Sequence, residues 1–208
     1  MKVVLFGASG MIGSRILNEL LSRGHQVTAV VRNPEKITAA GVAVVKGDVT
    51  DPASVVAAAQ GAEAAISAYA PPQTAPETVL AAARSLLAGL TAAGVKRLIV
   101  VGGAGSLEVA PGLQLVDTPS FPEAWKGIAL AHRGVLPILE ASPLDWSYLS
   151  PAAFIQPGER TGKFRLGGRQ LVVDEKGESR ISVEDFAVAL VDELENAKHI
   201  RQQFTLAY

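Results

Sequence analysis

The chain has no cysteine in its 208 residues. That excludes disulfides, thiolate metal sites and a cysteine nucleophile. It has no block of basic charge either. Its 19 Lys and Arg stand against 20 Asp and Glu, for a net charge of −1, so nothing offers a nucleic-acid surface. No apolar run reaches the length of a membrane span. His25 and His199 are too isolated to suggest a metal site, and no pair of carboxylates has a convincing spacing. There is no internal repeat and no low-complexity linker. Hydrophobic residues make up 49% and charged ones 19%, so a large core is available and a single domain over 1–208 is expected. The chain opens directly on strand and glycine loop. No signal peptide is therefore expected, and the expected location is cytoplasmic.

What is present starts at residue 1. Positions 1–6 form an apolar run that reads as a buried strand. It passes into Gly7-Ala8-Ser9-Gly10-Met11-Ile12-Gly13, a G-x-x-G-x-x-G turn. A helical pattern follows, with Ile12, Ile16, Leu17, Leu20 and Leu21 on one face. Strand, glycine turn and helix in that order suit a dinucleotide pyrophosphate. A side chain at Gly7 or Gly10 would obstruct the phosphate. The helix aims free N–H groups and its positive dipole end at the anion. Gly13 lets helix and strand pack closely. Ser9, Met11 and Ile12 complete the expected cradle.

Arg32 ends the second expected strand, 27–31, about 20 residues past the glycines. An acidic residue there would bind the ribose hydroxyls of NAD, whereas an arginine suits the 2′-phosphate of NADP. The alternative is a solvated arginine, or one stacked on the adenine of either cofactor. NADP(H) is expected in preference to NAD(H).

Strand and helix signals alternate along the rest of the chain. They predict an α/β fold with a mostly parallel, doubly wound sheet and helices on both faces. A short helix opens at Asn33-Pro34-Glu35, and strand 42–45 ends at Gly47-Asp48. Asp51-Pro52 caps a helix running to Gly61. Strand 64–68, an alanine-rich helix stopping at Gly94 and strand 96–101 follow. Residues 107–121 show no clear period. Ser120-Phe121-Pro122-Glu123 resembles a capping box that opens a helix towards Glu140, kinked near its end by Pro137. Strand 146–149 comes next. Segments 163–166 and 170–173, around Gly167-Gly168, predict a hairpin. Ser182 caps a last helix to about Asn196, and 204–206 form a final strand. Substrate-side elements are expected at about 107–135 and 151–182.

In open parallel sheets, ligands sit beyond the carboxyl ends of the strands, where strand order reverses. That gathers Gly7 to Gly13, Arg32, Asp48, Val49, Ser67, Ala68, Tyr69, Gly102, Gly103, Pro151, Ala152, Ala153 and Phe154. Asp48 either bonds the adenine amino group or serves as a turn and cap residue. Residues 67–69 would lie along the riboses, and 151–154 would cover the nicotinamide.

The segments GASGMIG, VVRNPEK, KGDVTD, AAISAYAP, RLIVVGGAGSL, LDWSYLSPA and RISVEDFAVALVDELE together carry a resemblance over the full chain. The sequence resembles the atypical short-chain dehydrogenase/reductase superfamily. It looks most like its small NAD(P)H-binding branch, the NADH-flavin reductase-like proteins related to biliverdin reductase B and the NmrA-like regulators. The resemblance implies a Rossmann fold and a nicotinamide cofactor held at the positions just named.

One departure bears on chemistry. Catalytic members of the larger superfamily use Tyr-x-x-x-Lys, but Tyr69 is followed at that spacing by Gln73 and Tyr148 by Ala152. By the resemblance, Ile128 and His132 stand where the pair would be, and Gly102-Gly103 where a serine is usual. Alcohol dehydrogenation through that dyad is therefore not expected. Hydride transfer to an electron-poor ring needs no protein acid, only rings held together with water excluded. Tyr69, Pro71, Pro72, Trp125 and Phe154 would wall such a pocket, or else serve as core and lid packing. His132, with an ordinary pKa of about 6.5, is the one titratable candidate for proton donor. A surface or ribose-contacting histidine is the alternative reading. The expected activity is reduction by NADPH of a flavin, bound as substrate rather than prosthetic group, or of a similar small planar acceptor, by a monomer or homodimer. One rival is an NmrA-like sensor that binds NADP(H) without turnover. The other is a sugar or small-molecule epimerase or dehydratase.

Overall fold

Apolar runs and amphipathic stretches alternate as strand and helix throughout residues 1–208 of the computed structural model. The strands are β1 (Lys2–Phe6), β2 (Gln26–Val31), β3 (Ala43–Lys46), β4 (Ala64–Ser67), β5 (Arg97–Val101), β6 (Glu108–Ala110), β7 (Leu113–Gln114), β8 (Asp145–Ser150), β9 (Phe154–Gln156), β10 (Arg165–Gly167), β11 (Arg180–Ser182) and β12 (Gln202–Ala207). The helices are α1 (Met11–Ser22), α2 (Pro52–Ala59), α3 (Thr78–Ala93), α4 (Glu123–Arg133), α5 (Val135–Glu140) and α6 (Val183–Asn196).

Eight strands form one sheet in the order β3-β2-β1-β4-β5-β8-β12-β10. Every neighbouring pair is parallel except β10–β12. The order reverses between β1 and β4, so the carboxyl ends of these two strands open the crevice in which such sheets bind ligands. Alternation along β1 builds both cores. Val3 and Leu5 pack with Ile16 and Leu20 of α1 and Phe186 and Leu190 of α6. Val4 and Phe6 pack on the other face with Val55 of α2, Leu86 of α3 and Val135 of α5.

Local chemistry sets the helix ends. Asp51 accepts hydrogen bonds from the Ala53 and Ser54 amides to start α2. Ser182 Oγ accepts from the Asp185 amide to start α6. Gly94, with φ +75°, ends α3 in the left-handed region.

Three local expectations change. The helix after Pro122 makes no side-chain cap, so the capping box does not form. It also breaks earlier than Pro137, at Gly134, into α4 and α5. A proline clashes with the carbonyl four residues before it, which here belongs to Arg133, so the break falls one turn upstream. The third change concerns the 163–173 hairpin, which is absent: β10 pairs antiparallel with the carboxyl-terminal strand β12. Segment 170–173 folds back instead, and the Leu171 amide donates to the Glu108 carbonyl at 2.9 Å. Residues 107–121, read as aperiodic, hold the short β6–β7 hairpin between two 3-10 turns.

Candidate functional site

The turn after β1 is held by its own backbone. The Gly7 amide donates to the Val30 carbonyl at 3.3 Å, and the Gly10 amide donates to the Gly7 carbonyl at 3.1 Å. Gly7 has φ +83°, and a Cβ there would lie 2.5 Å from the Ala68 carbonyl oxygen at the end of β4. A Cβ at Gly13 would overlap the Gly7 carbonyl oxygen. These two glycines let strand, turn and helix touch. Gly10 differs. Its backbone is extended, and a Cβ would meet only the Gly7 carbonyl oxygen, at 3.4 Å. The fold does not need a glycine there.

Helix α1 starts at Gly10 with no side-chain cap and no acidic residue in its first turn. The amides of Met11, Ile12 and Gly13 precede the first intrahelical bond and have no helical acceptor. Together with the dipole they form a site for an anion. Beside them lies a cleft of about 190 Å³. It brings together Gly7, Ser9, Gly10, Arg32, Asp48, Val49, Ala68 and Tyr69 from the expected set. Ala70, within the expected stretch 67–71, lines it too, and Val30, Val31 and Gly47 also line it and were missed. Gly47 had a legible signal in Gly47-Asp48 after β3. A Cβ there would lie 2.7 Å from both Ser54 Oγ and Val30 Cγ1.

Asp48 performs the turn role. Its Oδ1 accepts from the Thr50 amide at 2.9 Å and the Thr50 hydroxyl at 2.8 Å, while its own amide donates to Ser54 Oγ. Those bonds, with the nearby Arg32 charge, hold its carboxyl below the usual range. Its Oδ2 stays free of the turn. Ser67, by contrast, is buried against Val79 and Leu86 of α3 and does not line the nucleotide cleft.

The end of the crevice where the nicotinamide is expected is built on β5 and β8. Tyr148 of β8 is fully buried, and its ring lies against Gly102, where a Cβ would fall 2.5 Å from Cζ. Its hydroxyl donates to the His132 carbonyl at 2.8 Å, and burial pushes the phenol pKa far up. Tyr148 is thus the floor under Gly102 rather than an acid. His132 packs on Gly103, where a Cβ would come within 3.1 Å of the His132 Cβ. The ring is 9% exposed, its Nδ1 has no partner, and burial lowers its pKa to about 4. At neutral pH it carries no proton to give as imidazolium. Replacing Gly102 by alanine should cost about 1–3 kcal/mol, because the new methyl must displace a fully packed ring. Urea denaturation should show a lower midpoint at unchanged slope.

The other expected residues are dispersed. Pro151 and Ala152 are buried at the end of β8, and the Ala153 amide donates to Ser179 Oγ. Tyr69 bonds Thr78 through its hydroxyl at 3.1 Å. Pro71 is buried and Pro72 exposed. Trp125, 52% exposed, stands on the first turn of α4. Phe154, 65% exposed, lines a separate cleft with Ser182 and Tyr208, and the Arg180 guanidinium lies 6.0 Å from its ring. No three His, Asp or Glu side chains converge as a metal site.

Residues 7–194 match the model of a family described as NAD(P)H-binding. The chain belongs to that family. The match runs from the first glycine of the turn into α6, so it includes both the nucleotide cradle and the His132 region. A crystal structure of a Burkholderia pseudomallei protein, described provisionally as exported, is 52% identical, with a TM-score of 0.91 and 100% of both chains covered. A provisionally assigned epimerase from Bacteroides thetaiotaomicron is 44% identical, with a TM-score of 0.94 over 100% of this chain and 96% of that one. A protein of Streptococcus pneumoniae described provisionally as an NADH-flavin reductase is 34% identical, with a TM-score of 0.89 over 100% and 99%. The NAD(P)H-binding family, the Rossmann fold and an atypical short-chain dehydrogenase/reductase character agree with the crevice just described. No helix in the chain is long and apolar enough to cross a membrane.

Proposed function

We propose that the protein is an NADP(H)-dependent reductase that passes hydride to a flavin, or a similar small planar acceptor, taken as substrate. One observation carries this reading: a complete nucleotide cradle stands beside a nicotinamide end with no acid to offer. Tyr148 is sealed under Gly102, the Tyr69 hydroxyl is engaged by Thr78, and His132 is neutral. An epimerase or dehydratase needs an acid–base pair there, whereas hydride transfer to an electron-poor ring does not. The Streptococcus pneumoniae relative's description supports the same reaction class.

When bound, the reduced nicotinamide supplies the hydride. The chain holds and orients. The amides of residues 11–13 would take the pyrophosphate and Arg32 the 2′-phosphate. Asp48 Oδ2 would face the adenosine. His132, buried and neutral, would pack beneath Gly103 rather than titrate. The proton comes from water.

Steady-state oxidation of NADPH with FMN, riboflavin and quinones tests the proposal. Turnover above buffer is expected, without an inflection from His132 between about pH 6 and pH 8, because burial has moved its titration below that window. Tight NADP(H) binding with no turnover on any acceptor would replace the reductase with a nucleotide-sensing regulator.

A further inference from the structure

The chain has two tryptophans, and the fold treats them oppositely. Trp146 is 2% exposed in the core, whereas Trp125 is 52% exposed on the first turn of α4. A lone surface aromatic needs no explanation in itself. Trp125 is distinguished by where it stands. Trp125, Ala129 and His132 are spaced i, i+4 and i+7, so they share one stripe of α4. The other two members of that stripe are buried against the segment that leaves β5. A Cβ at Gly103 would come within 3.1 Å of His132 Cβ, and one at Gly105 within 2.8 Å of Ala129 Cβ. From His132 to Ala129 the stripe therefore climbs away from the carboxyl end of β5. Trp125 continues the climb, about 10 Å beyond His132 along the helix axis.

The adjoining face of α4 meets the loop that leaves β4: a Cβ at Gly127 would lie 3.8 Å from Pro76 Cγ. The indole thus stands at the rim of the crevice, beyond the ends of β4 and β5, on the side where the nicotinamide is expected. The other aromatics expected in this wall are used elsewhere. The Tyr69 hydroxyl is bonded to Thr78, and Phe154 lines its own cleft beside Arg180. The one aromatic stack of the chain, His199 on Phe204, is also elsewhere. Charge does not decide what the rim takes. The side chains next to Trp125, Lys126 and Glu123, lie 3.7 Å apart and offset each other. What the rim offers is a flat aromatic surface on a rigid helix, and such a surface recognises another flat ring.

We propose that Trp125 sets the acceptor specificity by stacking on the acceptor's ring, so that a fused-ring acceptor such as a flavin is preferred to a monocyclic quinone. The inference takes its acceptor from the reductase reading and deepens it. Overlap with the indole grows with the size of the facing ring system, and the attraction grows with the overlap. Two measurements on the full chain test it. One is riboflavin binding to the protein loaded with NADP+, followed by quenching of the riboflavin emission. The other is steady-state NADPH oxidation with riboflavin and with p-benzoquinone. Trp125→Ala should weaken riboflavin binding and raise the riboflavin KM about tenfold, while the benzoquinone KM moves less than about threefold. Trp125→Phe should recover most of the riboflavin affinity, because a phenyl ring also stacks. NADPH affinity and Tm should match the parent in both variants, since the indole is half exposed and outside the nucleotide cleft. Riboflavin binding without turnover would remove the reductase reading and leave the stacking assignment standing. The assignment itself is overturned if the parent does not bind riboflavin, if Trp125→Ala leaves riboflavin binding and KM unaltered, or if it raises both acceptors' KM alike.

Discussion

Gly10→Ala should keep its fold and bind nicotinamide nucleotides about a hundredfold more weakly, a loss of about 2.8 kcal/mol. The argument turns on the difference between this glycine and its neighbours. Alanine at Gly7 would force a residue with φ +83° against the end of β4, and alanine at Gly13 would push α1 off the turn. Either change harms the fold itself, so lost binding would be uninformative. At Gly10 the backbone is extended and the added methyl meets nothing closer than 3.4 Å. Stability should therefore fall by no more than about 1 kcal/mol, the difference between glycine and alanine at a helix N-cap. The methyl would, however, stand at the start of α1, where a pyrophosphate approaches the free amides. Thermal unfolding of the variant with and without saturating NADPH separates the two effects. The parent gains Tm with nucleotide by mass action, and the variant loses that gain whatever its own Tm. A variant that still responds fully to NADPH would remove the anion-cradle assignment.

The features legible in the chain were those written in neighbouring residues. The glycine turn, the alternation of strand and helix, the caps at Asp51 and Ser182 and the stop at Gly94 are local, and each is where the pattern put it. The features that escaped depend on distant partners. Segment 163–173 has strand composition and a Gly-Gly turn, yet β12 supplies β10 with a buried edge some forty residues away in the chain, and that edge wins. Ser67 alternates to the α3 face because the parity of β4 is fixed by its pairing with β1, which the strand's own residues do not reveal. From sequence Gly102 is expected along the cofactor, where the resemblance puts a serine. In the fold it is a glycine because the ring of Tyr148, on the neighbouring strand β8, lies against it. His132 shows the same limit in chemical form: its position was predictable by counting, but its charge state depends on burial.

Arg32→Ala should lower the ratio of NADPH to NADH affinity about ten- to hundredfold, by removing a charge-assisted hydrogen bond worth about 1.5–3 kcal/mol. Arg32 is exposed at the end of β2 and lines the cleft with Gly10 and Asp48. The one carboxylate it influences is Asp48, and that influence acts through space with no ion pair between them. Asp48 Oδ1 is meanwhile committed to Thr50. The guanidinium is therefore available to an incoming phosphate rather than consumed by the protein. Two further results separate phosphate binding from stacking on adenine. A stacked arginine would serve both nucleotides equally, so Arg32→Ala would weaken both and leave their ratio unchanged. A phosphate-bound arginine makes the NADPH preference salt-sensitive, because an exposed pair is screened over about 10 Å at 0.1 M ionic strength. Dissociation constants for both nucleotides at low and high salt, in the parent and in Arg32→Ala, decide between them. The parent's ratio should shrink as salt rises and the variant's should not, and Arg32→Asp should favour NADH by offering the ribose hydroxyls an acceptor in place of the phosphate's donor.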